Sequence, residues 1–224
     1  MSNPLQLVLF DVDGTLVDSQ ASIVSAMTGA FDAINMAVPA RKAILSIVGL
    51  SLPQAMASLA PNSDAAVHQR LVVAYKESYF AQRQQQGASH SPLYPGALDV
   101  LETLHSVPDI LLGVATGKSK RGLDALIEAH GLERFFVTRQ VADFHPSKPH
   151  PSMIETARAE TGVETGQTVM IGDTSFDMDM AAAAGVKGIG VSWGYHPPLD
   201  LHRAVCVVDR FDELPPAIRQ VLSQ

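Results

Sequence analysis

The chain has 224 residues, 46% of them hydrophobic and 17% charged, with a formal net charge of −7. That is enough apolar material to bury the core of one domain with an insertion, or of two modest domains, and it excludes a disordered chain. The acidic balance and the absence of any run of like charge argue against a nucleic-acid binder, which presents a basic stripe, and leave small molecules as the expected partners.

The chain opens on Met1-Ser2-Asn3-Pro4, without the basic segment and long apolar stretch of a signal peptide, and no apolar run reaches the roughly 18 residues of a membrane span. The first element is the run Leu5-Gln6-Leu7-Val8-Leu9-Phe10, which stops abruptly in Asp11-Val12-Asp13-Gly14-Thr15. It reads as a buried strand of a parallel sheet, and ligands of such sheets sit beyond the carboxyl ends of the strands. Asp11 and Asp13, two apart, lean the same way while the backbone stays extended, and Gly14 lets the chain turn closely around what they hold. Two acids so close call for a hard divalent cation, Mg²⁺ above all. The competing reading is a strand-to-helix turn in which Asp13 or Thr15 caps the next helix.

From Leu16 the periodicity becomes helical: Ile23, Met27, Phe31 and Ile34 share one face, with Asp18 or Ser19 as the N-cap. A short helix begins at Pro39 and breaks at Gly49-Leu50-Ser51-Leu52-Pro53, another spans residues 54–59, and a long one over 64–86 carries Val67, Leu71, Tyr75 and Tyr79 on one side. An all-helical block of about 70 residues is too long for a strand-to-helix connection. We therefore expect an α/β core formed by residues 1–16 and 87–224 and an inserted helical domain at 17–86, with the Ser-, His- and Pro-containing stretch 87–94 as the return linker.

After a helix over 97–105, strand and helix patterns alternate, as in a doubly wound, mainly parallel sheet. Strands are expected at 110–116, 135–137, 168–172, 189–191 and 205–208, and helices at 119–130, 151–161, up to 185 and at 214–222. The single cysteine, Cys206, forms no internal disulfide and reads as a small buried core residue; together with the missing leader it favours a cytoplasmic protein.

Three more groups could carry chemistry. Thr116-Gly117 ends the second strand, where a hydroxyl and turn amides bind phosphate oxygens or simply form a turn. Lys148 sits in Pro146-Ser147-Lys148-Pro149-His150-Pro151, stiffened by prolines, where an ammonium could neutralise Asp11 and a phosphate together; a solvated lysine is the plain alternative. Its neighbours His145 and His150 lack zinc-ligand spacing and read as loop histidines. Finally Ile171-Gly172-Asp173-Thr174-Ser175-Phe176-Asp177 repeats the pattern of a strand ending in an acid, with a second acid at a helix start and Asp179 turned elsewhere. Either Asp173 or Asp177 could complete a Mg²⁺ site, while Asp177 could also serve only the helix dipole.

Taken together, Asp11-Val12-Asp13-Gly14-Thr15, Thr116-Gly117, Lys148-Pro149-His150-Pro151 and Gly172-Asp173 through Asp177 resemble, in order, the four motifs of the haloacid dehalogenase superfamily in its phosphatase form. The resemblance is nearest to the phosphoglycolate-phosphatase-like branch with a helical cap. It implies Asp11 as nucleophile and Asp13 as general acid/base. Lys148 and Thr116 are implied as catalytic groups that also bind substrate, alongside Gly14, Thr15 and Gly117. It further implies Mg²⁺ held by Asp11, the carbonyl of Asp13, and Asp173, supported by Asp177, and a cap over residues 17–86 whose Gly49 and Ser51 meet the substrate. The implied activity is hydrolysis of a small phosphorylated metabolite. The rivals are a sugar phosphomutase of the same superfamily and a receiver-like phosphoacceptor module. Against the mutase, Leu52 and Pro53 stand where a basic residue would grip a second phosphate.

Overall fold

The computed structural model describes residues 4–223. A six-stranded, all-parallel sheet is built from β1 (Gln6–Phe10), β2 (Ile110–Thr116), β3 (Phe136–Val141), β4 (Thr168–Gly172), β5 (Lys187–Val191) and β6 (Cys206–Val208), in the order β3-β2-β1-β4-β5-β6. The order reverses at β1, so the crevice beyond its carboxyl end is the one place where loops diverge to both sides. Asp11 leaves β1 there, Asp173 follows β4, and Thr116 ends β2.

Between β1 and β2 lie α1 (Gln20–Ala33), α2 (Arg41–Leu45), α3 (Leu52–Leu59), α4 (Ala65–Gln86) and α5 (Ala97–His105); then follow α6 (Lys120–His130), α7 (Ser152–Thr161), α8 (Ser175–Ala183) and α9 (Leu214–Leu222). The period-two alternation of the strands sorts the core. Val8 and Phe10 face a cluster completed by Leu101, Leu104, Leu123, Ile127, Leu214 and Ile218 of α5, α6 and α9. Leu7 and Leu9 face the opposite cluster, with Met153, Ile154 and Met180 from α7 and α8. A third cluster joins Ile23, Met27 and Phe31 of α1 to Ile44, Met56 and Leu71 from α2, α3 and α4, so the four helices carry an apolar centre of their own. The chain passes out to them and back along two paired segments: Asp18 N donates to Pro92 O at 2.8 Å and Tyr94 N to Leu16 O at 3.0 Å.

Several local expectations shift. β3 runs four residues further than the apolar signal at 135–137, because its polar residues find partners: Thr138 Oγ1 and Gln140 Nε2 both donate to Glu160 on α7, at 2.6 and 2.8 Å. β5 starts two residues earlier than expected and β6 one later. Cys206 is half-buried and not fully inside the core: it packs against the first cluster from β6, an edge strand paired only with β5. Ser19 occupies the N-cap position of α1, but its hydroxyl does not cap the helix, being committed elsewhere.

The helical unit seats on the core through direct backbone contact. A Cβ placed on Gly117 would lie 2.5 Å from Gly49 O and 2.7 Å from Leu50 O, so the loop before α3 presses on the turn after β2. Ser51 N donates to Ser147 Oγ at 2.8 Å on the other side of that loop. Backbone cannot yield as a flexible side chain can, so Gly117→Ala should lift the 49–52 loop while leaving the sheet intact. Hydrogen exchange followed by mass spectrometry should show faster exchange over 47–53 with unchanged protection of β1 and β4; unchanged exchange in the loop would contradict this seating.

Candidate active site

Beyond the ends of β1 and β4, Asp11, Asp173 and Asp177 converge: one carboxylate oxygen from each lies within 4.8 Å of the others, all three buried. Their one buried cation is Lys148, whose Nζ sits 3.0 Å from Asp11 Oδ1 and 2.6 Å from Asp177 Oδ1. Lys148 lies beside a cis Lys148-Pro149 peptide and is as buried as the leucines of the core. Burial works against its charge, but Asp11 and Asp177 outweigh it and hold the ammonium above its usual range.

Each acid is held differently. Asp177 stands at the third position of α8 in a capping box: Thr174 N and Oγ1 donate to its Oδ2, and its own N–H is bonded by Thr174 Oγ1. It therefore faces the other acids and stabilises the helix start at once. Asp173 accepts from Thr15 Oγ1 at 2.9 Å and from Tyr195 N at 2.8 Å. Gly14, at φ +86°, and Gly194 approach it so closely that a Cβ on either would collide with its side chain, and Gly172 is likewise pressed by Asp177. Asp11 differs: among the described residues neither of its oxygens accepts a hydrogen bond of ordinary geometry. Burial pushes its carboxyl up to about 7 against the pull of Lys148, with Asp177 and Asp13 adding to the rise. Burial, then Asp177 and Asp11, raise Asp173 well above the carboxylate range.

Asp13 is separate from this cluster. Its Oδ2 meets Lys118 Nζ at 2.9 Å and its Oδ1 accepts from Ser19 Oγ at 2.6 Å; that hydroxyl also contacts Tyr195 OH at 3.0 Å. Lys118 reaches on to Tyr79 OH of α4 at 3.2 Å, so the acid is tied to the helical unit through one lysine. Burial disfavours the Lys118 charge, but Asp13 and then Tyr79 more than restore it. The sequence reading missed Lys118, although its place directly after the strand-end pair Thr116-Gly117 was the available signal. It also missed Trp193-Gly194-Tyr195, which follows β5 and closes over Asp173; Trp193 Nε1 donates to Thr15 O at 3.1 Å.

One cleft of about 1230 Å³ joins Asp11 to Asp13 and Lys118, while Asp173 and Asp177 lie outside its lining. Asp11, Asp13, Thr116, Gly117 and Lys118 line it from the core, and Gly49, Leu50, Ser51 and Leu52 from the helical unit. Gly14 and Thr15, expected at the substrate, stand outside this lining because both are turned to Asp173. Lys148 also lies outside it, behind Asp11. His145 is spent on structure, bonding Ser152 Oγ and Gln140 Oε1 at 2.8 Å each, and Asp179 faces away to pair with Arg203.

The donor set fits a hard divalent cation. Three buried carboxylates face one ammonium, and Asp11, which accepts no hydrogen bond of ordinary geometry, keeps lone pairs that such an ion could use.

Comparison with known proteins agrees with this architecture. The family model described as haloacid dehalogenase-like hydrolase matches residues 8–191. A protein named probable phosphatase IndB from Dickeya dadantii is 36% identical, over 97% of this chain and 95% of its own length. A phosphoglycolate phosphatase from Pseudomonas fluorescens is 28% identical over 94% of this chain and 79% of its own. Among solved structures, a haloacid dehalogenase-like hydrolase from Streptococcus pneumoniae superposes with a TM-score of 0.82 at 26% identity, covering 95% of this chain and 98% of that one.

Two outcomes follow from the buried charges. Lys148→Met should destabilise the metal-free protein by about 3–5 kcal/mol in urea denaturation, since it strands buried acids without their cation; a loss under ~1 kcal/mol would contradict the pairing. Because the folded-state value of Asp11 is raised from the usual 3.8, its contribution to stability is present at acid pH and lost as pH rises through about 7. A cation held by these carboxylates would reverse that loss, so the rise in melting temperature from chelator to Mg²⁺ should be larger at pH 8 than at pH 6. Equal increments at the two pH values would contradict it.

Proposed function

This chain belongs to the haloacid dehalogenase-like hydrolases, and we propose that it is a Mg²⁺-dependent phosphatase that hydrolyses a small phosphate monoester through a phosphorylated Asp11. The observation that carries the reading is the state of Asp11: buried, free of hydrogen bonds of ordinary geometry, beside a lysine, and open to a cleft it shares with a second, separately held acid. A carboxylate so placed has its lone pairs available, which a structural carboxylate would not.

In the first step an Asp11 oxygen bonds to phosphorus as the bond from phosphorus to the ester oxygen breaks, and Asp13 gives that oxygen a proton. In the second, water attacks the acyl phosphate, Asp13 takes the water's proton, and phosphate leaves with Asp11 regenerated. Phosphate monoesters hydrolyse so slowly in water that charge neutralisation and positioning carry most of the acceleration. Thr116 Oγ1 and the amide of Gly117 serve the phosphoryl oxygens at the cleft floor, Lys148 balances Asp11 from behind, and Lys118 with Ser19 aims Asp13. Held by Asp11, the carbonyl of Asp13, and Asp173, with Asp177 in support, Mg²⁺ would supply a Lewis acid for the phosphoryl oxygens.

Residues 17–86 act in this reading as a cap domain over a core of 1–16 and 87–224, with Gly49 and Ser51 at the substrate. The substrate is a phosphorylated metabolite, and phosphoglycolate, on which the Pseudomonas fluorescens relative is named to act, is the first compound to try. No helix among the described residues is long and apolar enough to cross a membrane. We place the enzyme in the cytoplasm, where its lone thiol would stay reduced.

The test is phosphate release from a panel of phosphorylated metabolites with Mg²⁺. Asp11→Asn should abolish turnover in a folded protein, whereas Asp13→Asn should keep a nucleophile and lose about 10²–10⁴-fold for want of proton transfer. Normal turnover by the folded Asp11→Asn variant would refute the reading. Isomerisation of β-glucose 1-phosphate without phosphate release would favour a mutase.

A further inference from the structure

The cleft is larger than its chemistry requires. Small-molecule sites commonly occupy roughly 300–1000 Å³, and this one measures about 1230 Å³ even though the cap is seated on the core at Gly117, Ser51 and Lys118. Its walls away from Asp11 are largely apolar, with Met27, Leu52 and Tyr75 from the cap and two phenylalanines, Phe80 and Phe144, toward solvent. Phe144 is 68% exposed, a large apolar side chain left uncovered inside a binding cleft.

Two guanidiniums meet on Phe80. Arg121, near the start of α6, places Cζ 4.1 Å from the ring centroid, and Arg83, one turn beyond Phe80 on α4, places its own at 5.4 Å. One comes from the core and the other from the cap, and both line the cleft. Stacking on the ring uses the face of a guanidinium and leaves its N–H edge for an anion. No side-chain hydrogen bond or ion pair among the described residues uses either of them. The nearby acids are largely committed: Asp124 pairs with Lys120, and Asp143 accepts from the Lys120 amide, leaving Glu128 exposed on α6. Two cations converging on one ring with no ion pair among the described residues repel each other, and an anionic group on the substrate would relieve that repulsion, with Glu128 of the same cleft standing as the one uncommitted acid beside them.

We propose that Phe80, Arg83 and Arg121 form a second, anion-binding subsite at the mouth of the cleft. The preferred substrate is then a phosphate monoester whose apolar or aromatic body fills the cleft and carries a further acidic group, carboxylate or phosphate, at its far end. This rests on the phosphatase reading above and names the substrate class for that site. A two-carbon acid phosphate such as phosphoglycolate carries the second charge but not the body.

The experiment compares two matched esters, biphenyl-4-yl phosphate and its 4′-carboxylate, as substrates of the full-length enzyme with Mg²⁺ at low ionic strength. The wild type should favour the carboxylated ester by about 10-fold or more in kcat/KM, the scale of one charge-assisted hydrogen bond, and the advantage should shrink with added salt. In Arg83→Gln and Arg121→Gln the loss should be larger for the carboxylated ester than for the plain one and should appear in KM, with Arg121→Lys restoring part of it. Equal use of both esters by the wild type, or equal losses on both in the variants, would overturn the subsite while leaving the phosphatase reading in place. Hydrolysis of neither ester and of no metabolite in the panel would overturn that reading, and the subsite with it.

Discussion

One buried lysine against three buried aspartates is the constraint on which the rest of the site depends. Lys148 touches Asp11 and Asp177 directly, and Asp173 shares the same small volume, so the cluster holds one positive charge for three acids. Removed from water, uncompensated carboxylates are costly, and they respond by holding protons, as the raised carboxyls of Asp11 and Asp173 show. The cluster lacks positive charge, and in the phosphatase reading a divalent ion would supply what the protein alone leaves open before an anionic phosphate enters. That is a preorganised charge site, in which the unfavourable energy is met at folding and not during turnover.

The fold makes this affordable by arranging backbone around the acids more closely than side chains would allow. Gly14, Gly172 and Gly194 come from three different strand ends and leave room only for Asp173 and Asp177, while Thr15, Thr174 and the Tyr195 amide occupy their outer lone pairs. Asp11 alone is left without such partners. The second acid, Asp13, is reserved by Lys118 and Ser19, and Lys118 joins it to Tyr79 in the helical unit. Position and partners thus divide two carboxylates, two residues apart on one strand end, into different chemical environments.

Much of this could be read from residues alone, and the reason is topological. Asp11, Thr116 and Asp173 stand at the ends of apolar runs that can only be buried strands, and a parallel sheet brings such ends together. Lys148 was legible through the family resemblance of Lys148-Pro149-His150-Pro151, since the residues alone read as well as a solvated lysine between prolines. What escaped depends on which side chain faces which neighbour. Gly14 and Thr15 belong to the first motif yet serve Asp173, 158 residues later in the case of Thr15; no local pattern distinguishes that from contact with substrate. Ser19 stands at the helix N-cap as expected, but its hydroxyl donates to Asp13 and caps nothing. The polar half of β3 was hidden because Thr138 and Gln140 are satisfied by Glu160 on a helix, a pairing that only the folded chain supplies. Lys118 and the Trp193-Gly194-Tyr195 segment follow strand ends just as the recognised residues do, so the rule that found Asp173 applies to them as well.

The central claim is that Asp11 is the group that becomes phosphorylated. It is tested most directly by rapid acid quench of the Asp13→Asn variant during turnover of a phosphate monoester with Mg²⁺, followed by peptide mass spectrometry. The account predicts a phosphoryl group on the peptide containing Asp11, chased by hydroxylamine and absent from Asp11→Asn. Phosphate release with no covalent adduct at any time, or an adduct on another residue, would contradict it.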